Sequence, residues 1–280
     1  MLEPLRIDVA LVPDEVDRKA GLLVMIDQIR ASTTITTLLD LGCRHVYLAR
    51  SVGEARRLAR RTGSLLAGEH HAVRPKGFDF ENSPSQLTLE AGRVRDRSVV
   101  LCTTNGTAVL HRVRRLPTVL IGCLRNARAC AGVAVSIATS LADRDAARPQ
   151  RKLQPAMQAS PHIQVTCAGG ERRFVLEDAV TAGVIAKRIV EIVRATGRET
   201  SVTDAADAAM RLYASEPDLL WAMTNSSGGR TLRAIGQADD IVFCACEDAT
   251  ATVPVLCTGP PMRADRFRAA GAAPAPSPDR

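Results

Sequence analysis

Short apolar runs alternate with helical patterns along the chain. LRIDVALV, GLLVMID, HVYLA, SLLAG, SVVLC and TVLIG predict strands in the first half. IQVTCA, DIVFCA and VPVLC predict strands in the second. Between them SVGEARRLARR carries Ser51 and Glu54 at capping-box spacing. NARACAGVAVSIATSLA reads as a helix rich in small residues. LEDAVTAGVIAKRIVEIVRA, 176–195, has helical apolar spacing with acids in its first turn, where they complement the helix dipole. Strand–helix alternation on this scale predicts an α/β fold, with helices packed on largely parallel or mixed sheets. The Pro-, Gln- and charge-rich stretch RDAARPQRKLQPAMQAS interrupts the pattern. It divides the expectation into an N-terminal lobe (1–143), a linker or exposed insertion (144–160) and a C-terminal lobe (161–262). The Pro/Ala-rich remainder, 263–280, is expected as a disordered tail.

Composition narrows the function classes. The chain has 280 residues, 46% hydrophobic and 24% charged, which is globular rather than disordered. Aromatic residues make up only 3%, which argues against a stacking platform for bases. The net charge of +7 favours anionic partners. The basic residues are dispersed, so small anions are expected and nucleic acid is not. No apolar run suits a bilayer span, and MLEPLRIDVALVP has no signal-peptide pattern, so a cytoplasmic protein away from membranes is expected. The 8 cysteines include no C-x-x-C pair and read as reduced, mostly buried thiols. Homo-oligomer formation stays open.

Four segments place polar residues just after apolar strands, where open α/β sheets keep their sites. In VMIDQIRASTTI, Asp27 closes a strand ahead of Arg30, Ser32, Thr33 and Thr34. A helix start offers free amides to an anion, Arg30 suits phosphate or carboxylate, and Asp27 suits a hard cation. Spacing alone leaves a plain helix cap with an Asp27–Arg30 pair equally open. In LLAGEHHAVRPKGFDFENSP, Glu69 ends a strand and a polar loop follows with Lys76, Asp79, Asn82 and Ser83. The adjacent His70 and His71 read as surface loop, because neighbours rarely face one ion. In SVVLCTTNGT, Thr103, Thr104, Asn105, Gly106 and Thr107 form a small polar loop able to meet phosphate oxygens, or a simple turn. In VTCAGGERRFVLEDAV, Cys167 is a nucleophile candidate set against the commoner buried thiol. Glu177 and Asp178 decorate a helical first turn or reach a metal.

Taken in order, IDQIRASTT, LLAGEHHAVRPKGFDFENSP, TTNGT, IGCLRNA, CAGG with FVLEDAVTAG, GGRTL and DDIVFCA resemble the 2-phosphosulfolactate phosphatase (ComB-like) family. Those are the magnesium-dependent phosphatases of coenzyme M biosynthesis. The resemblance implies hydrolysis of the phosphate monoester of a short 2-hydroxy acid that carries a second anionic group. It implies Mg²⁺ held by Asp27 and Glu69, and phosphate or carboxylate held by Arg30 and the Thr103–Thr107 loop. Ser32, Thr33, Asp79, Asn82, Ser83 and Asn126 join as substrate-positioning candidates. Metal-activated water is the expected attacker, with Cys167 as the covalent alternative.

The chain departs from the family pattern at Gln28-Ile29, where Val-Leu is usual, and at His70-His71-Ala72, where Arg-Gly-Gly is usual. It also carries Gly170 where Thr is more typical. These changes keep open a diverged member that binds a phosphorylated acid without turnover.

Overall fold

An apolar run without alternation, such as LLVMI, suits a strand covered on both faces. The computed structural model, which describes residues 3–104, 106–146, 161–216 and 218–268, buries that run completely. Leu22, Val24 and Ile26 pack into one core, and Leu23 and Met25 into another on the opposite face. The strands are β1 (Leu5–Ala10), β2 (Leu22–Ile26), β3 (Val46–Ala49), β4 (Leu65–Gly68) and β5 (Val99–Cys102). β6 (Val119–Gly122), β7 (His162–Cys167), β8 (Thr200–Val202), β9 (Pro254–Cys257) and β10 (Arg263–Arg266) complete them. All lie in one sheet of order β4-β5-β3-β10-β9-β6-β2-β7-β1-β8.

Two parallel blocks make up this sheet. β4, β5 and β3 form one, and β6, β2, β7, β1 and β8 the other. The β9–β10 hairpin joins them by antiparallel pairing to β6 and β3. The fold is therefore α/β on a mixed sheet, as expected, but the expected division near residues 144–160 does not divide it. β7, from the second half, lies between β1 and β2 from the first. Residues 263–266, expected in a tail, are the sheet strand β10. Its polar sequence RADR hides the signal, since only Ala264 is fully buried and pairs with β3. Residues 147–160 of the expected linker and 269–280 of the expected tail lie outside the described residues, and 144–146 continue a helix.

The helices are α1 (Ala31–Asp40), α2 (Val52–Thr62), α3 (Pro84–Leu89), α4 (Ala91–Val94), α5 (Gly106–Val113) and α6 (Ala127–Ala146). They continue with α7 (Leu176–Ala195), α8 (Asp204–Ser215), α9 (Leu219–Asn225), α10 (Ser227–Ala234) and α11 (Asp239–Ala245). α2 starts as its sequence predicts, with Ser51 Oγ accepting the Glu54 amide at 3.2 Å. Glu54 reaches back one residue further than a capping box, to the Arg50 amide at 2.9 Å. DIVFCA, expected as a strand, is helical. Asp240, Ile241 and Cys244 are buried while Val242 is exposed, which is helical spacing rather than alternation. No helix among the described residues is long and apolar enough to cross a membrane.

α1 is the centre of the molecule. Every residue from Ala31 to Leu39 is buried, and the helix packs against β3, β6, β9, β10, α3 and α5. On the other face α6 and α7 cover β1, β2 and β7, and α8 lies on α7. That last contact depends on Gly183, where a Cβ would sit 2.1 Å from the Ala209 carbonyl oxygen of α8. Gly183→Ala should therefore lower stability by about 2 kcal/mol by forcing the helices apart, in spite of alanine's better helix propensity. A thermal melt equal to or above the parent's would contradict that packing account.

Candidate active site

The site is built where several chain ends meet the start of α1. Asp27 directly follows β2 and is 7% exposed. Its amide donates to Ser32 Oγ at 2.8 Å, and its Oδ1 accepts from the Ala31 amide at 3.0 Å. The carboxylate thus holds the first amide of the helix it precedes, where the sequence reading expects a Ser or Thr cap or a metal ligand. Its other oxygen faces α5, where a Cβ on Gly106 would lie 2.5 Å from Oδ2. Glycine at 106 lets the first turn of α5 approach that carboxylate.

Two further acids point into the same place. Asp178 accepts from the Gln28 amide at 2.8 Å and the Gly169 amide at 2.9 Å. Glu177 Oε1 accepts from the Gly228 amide at 2.9 Å, at the first turn of α10. A Cβ on Gly228 would fall 2.4 Å from that oxygen. Glu177 Oε2 is buried with no hydrogen-bond partner, and the Ser226 hydroxyl donates instead to the Met223 carbonyl at 2.7 Å.

The electrostatics follow from burial. Burial pushes the Asp27 carboxyl up to about 6, with the charges of Glu69 and Glu177 adding to it and the Ala31 amide and Arg30 opposing. Burial and then the neighbouring Asp27 and Glu177 hold Asp178 well above the usual carboxylate range. Glu177 is raised chiefly by burial. Glu177 and Asp178, expected to decorate the first helical turn or reach a metal, are both buried. The stronger signal was that the whole first turn of this helix is apolar-flanked, which predicts burial.

Glu69 forms the opposite wall. Its Oε1 accepts from the Thr104 amide at 2.6 Å, and its Oε2 from the Ala72 amide at 2.7 Å and Thr104 Oγ1 at 2.9 Å. Thr107 donates to the Thr103 carbonyl at 2.9 Å and its amide bonds Thr103 Oγ1 at 3.2 Å, fixing the start of α5. Asn105, expected within this loop, lies outside the described residues. His70 and His71 are exposed, as expected, on a tight turn in which His71 and Ala72 both have positive φ.

Arg30 belongs to a second cluster. Its guanidinium bonds Asp240 Oδ2 at 2.7 Å and also Gln237. Asp240 Oδ1 accepts from Ser83 Oγ at 2.9 Å, Ser85 Oγ at 2.6 Å and the Ser85 amide at 3.0 Å. The anticipated Asp27–Arg30 pair is therefore not formed; Asp240, absent from the sequence-derived site, takes the guanidinium. Gln28 is a brace, with Nε2 donating to the Cys244 carbonyl at 2.8 Å and Oε1 accepting from the Leu124 amide at 2.9 Å.

Other predicted site residues serve the framework. Thr33 Oγ1 donates to the Gln28 carbonyl at 2.9 Å, and Thr34 Oγ1 to Asn82 Oδ1 at 2.7 Å. Asp79 accepts the Leu66 amide at 2.8 Å along β4. Asn126 is fully buried, with its side chain bonded to the Cys123 amide, the Ile121 carbonyl and the Thr252 carbonyl. That leaves it nothing to offer a substrate. Cys167 is fully buried, and burial followed by the Asp178 charge holds its thiol well above its ordinary value. Such a thiol is a poor nucleophile.

A family model described as 2-phosphosulpholactate phosphatase matches residues 9–259. The chain belongs to that family. Among similar proteins, a Thermus thermophilus protein named "Probable 2-phosphosulfolactate phosphatase" is 32% identical over 90% of this chain and 94% of its own length. A Deinococcus radiodurans protein of the same name is 32% identical over 94% and 98%. A Thermotoga petrophila protein, again so named, is 32% identical over 84% and 89%. The family match therefore covers the acidic cluster and the strands from β2 to β9.

The raised carboxyl of Asp27 has a stability consequence. Between about pH 4 and pH 6 the unfolded chain releases this proton and the folded one keeps it, so stability falls as pH rises through that window. In metal-free protein at pH 8, Asp27→Asn should raise stability by roughly 2 kcal/mol, a few degrees in melting temperature. The gain should vanish at pH 4. A destabilised variant at pH 8 would contradict the electrostatic account.

Proposed function

We propose that the protein is a Mg²⁺-dependent phosphatase acting on the phosphate monoester of a short 2-hydroxy acid of the 2-phosphosulfolactate type, yielding sulfolactate and phosphate. Family membership supplies the reaction class, a phosphoric monoester hydrolase. The observation that carries the reading is the buried Glu177 Oε2 without a partner, beside Asp27 and Asp178, whose carboxyls are pushed up first by burial and then by neighbouring acids.

That donor set fits a hard divalent cation. Among the described residues no three His, Cys, Asp or Glu side chains gather into a metal cage. Magnesium does not need one, since it takes one or two carboxylates and keeps waters. Asp27 and Glu177 are the residues proposed to hold it. Glu69, whose oxygens are already bonded to amides, is proposed as the acidic wall beside them. The cation would neutralise charge on the phosphoryl oxygens and activate a water.

The chain's own residues do the rest. Gly106 lets the first turn of α5 approach Asp27, and a helix start of this kind suits phosphate oxygens. Thr104 holds Glu69 in place. Asp178 anchors the corner by binding the Gln28 and Gly169 amides. Water attacks phosphorus, the phosphorus–oxygen ester bond breaks, and the leaving alkoxide takes the proton that water gave up. Buried Cys167 takes no part. The reading places the enzyme in a reduced cytoplasm, supported by eight free cysteines, six of them buried.

The test is release of inorganic phosphate from 2-phosphosulfolactate with Mg²⁺ and with EDTA. Release should stop with EDTA, and Asp27→Asn and Glu177→Gln should each lower kcat at least about 100-fold without unfolding. Parental activity in both variants would remove the metal assignment. Tight binding with no turnover at any Mg²⁺ concentration would remove the phosphatase reading itself.

A further inference from the structure

A cleft of about 710 Å³ opens between the loop leaving β4 and the first turn of α2. Arg50, Glu69, His70, Arg74, Lys76 and Thr104 line it. Its size is in the range of small-molecule pockets. Its chemistry differs from that of the acidic cluster, since three of these side chains are cationic and only Glu69 is acidic.

The cations are not equivalent. Arg50 lies 3.6 Å from the Glu54 carboxylate. Among the described residues, no carboxylate stands within ion-pair distance of Arg74 or Lys76. The backbone of Lys76 is held, its carbonyl accepting from Arg56 at 2.7 Å, so the root of its side chain is fixed on the cleft rim. Gly53, in the first turn of α2, also lines the cleft and adds the positive end of a helix dipole.

The cleft and the acidic cluster share a wall. Glu69 faces the cleft, its charge is felt at Asp27, and its Thr104 partner leads through the loop to Gly106 against Asp27. A short ligand lying across Glu69 would meet carboxylates at one end and cations at the other. We propose that this cleft seats the second anionic group of the substrate, its sulfonate, and that Arg74 and Lys76 are specificity-determining residues. The inference rests on the phosphatase reading above for which end carries phosphate. The cleft's preference for an anion does not rest on it.

The experiment uses the full chain with Mg²⁺ and the exposed-site variants Arg74→Ala and Lys76→Ala. Sulfolactate and lactate are titrated by calorimetry, and kcat/KM is measured for 2-phosphosulfolactate and 2-phospholactate. The parent should bind sulfolactate more tightly than lactate. Each variant should weaken sulfolactate about tenfold and reduce the selectivity ratio for the sulfonated ester by a similar factor, mainly through KM. Arg74→Lys should recover part of the loss. Parental sulfolactate affinity in both variants, or an equal loss on sulfonated and unsulfonated ligands, overturns the assignment. So does a parent that binds sulfolactate no better than lactate. If sulfolactate binding depends on Arg74 and Lys76 while no ester is hydrolysed, the cleft assignment stands and the phosphatase reading falls.

Discussion

Burying Asp27, Glu177 and Asp178 together is the constraint around which this fold is arranged. An ionised carboxylate removed from water costs several kcal/mol unless something replaces its hydration. Here the replacement comes from main-chain amides at Ala31, Gln28, Gly169 and Gly228 rather than from a bonded cationic side chain. Those amides must be brought in from α1, α10 and the loop after β7, and α5 closes over the free oxygen of Asp27. The glycines follow from the same need. At 106 and 228 a Cβ would strike a carboxylate, so any other residue would push away the helix start that compensates the charge.

The positive charge nearest in sequence is directed elsewhere. Arg30 is held by Asp240, itself 1% exposed and bonded to Ser83 and Ser85. One carboxylate thereby ties α1, the start of α3 and α11 together. Gln28 repeats the device from two residues earlier, joining the end of β2 to Leu124 and to the end of α11. Framework and site therefore share VMIDQIRASTTI, with Asp27 in the acidic cluster and Gln28, Arg30, Thr33 and Thr34 bracing the fold around it. A side chain that only braces α11 can be glutamine, which gives a physical reason for Gln28.

Local patterns made most of the architecture legible before the structure was known. The buried strands of the first half, the cap at Ser51 and the long helix 176–195 all follow from periodicity and end signals. DIVFCA was misread because six apolar-rich residues do not distinguish a strand from a buried helical turn. RADR escaped because its strand character comes from pairing with β3 and β9. Asp27 and Glu69 were visible as acids at strand ends. The role of Asp240 was not, because it lies 210 positions from Arg30 and only the folded chain brings them together. Asn126 looked exposed to ligand for a similar reason: its partner at Thr252 is remote in sequence.

The placement of β7 also governs the order in which the molecule can assemble. β1 and β2 are close in sequence, yet neither pairs with the other; both wait for residues 162–167 to enter between them. On a ribosome, the β3–β4–β5 block needs nothing beyond Cys102 and can form while the rest is still being made. The first two strands, and Asp27 with them, stay unpaired on that side through the whole interval. Insertion of a late strand between early ones is slow because its contacts are non-local. The nascent chain therefore carries two apolar strands with open edges throughout that interval, when it most needs shielding from its neighbours.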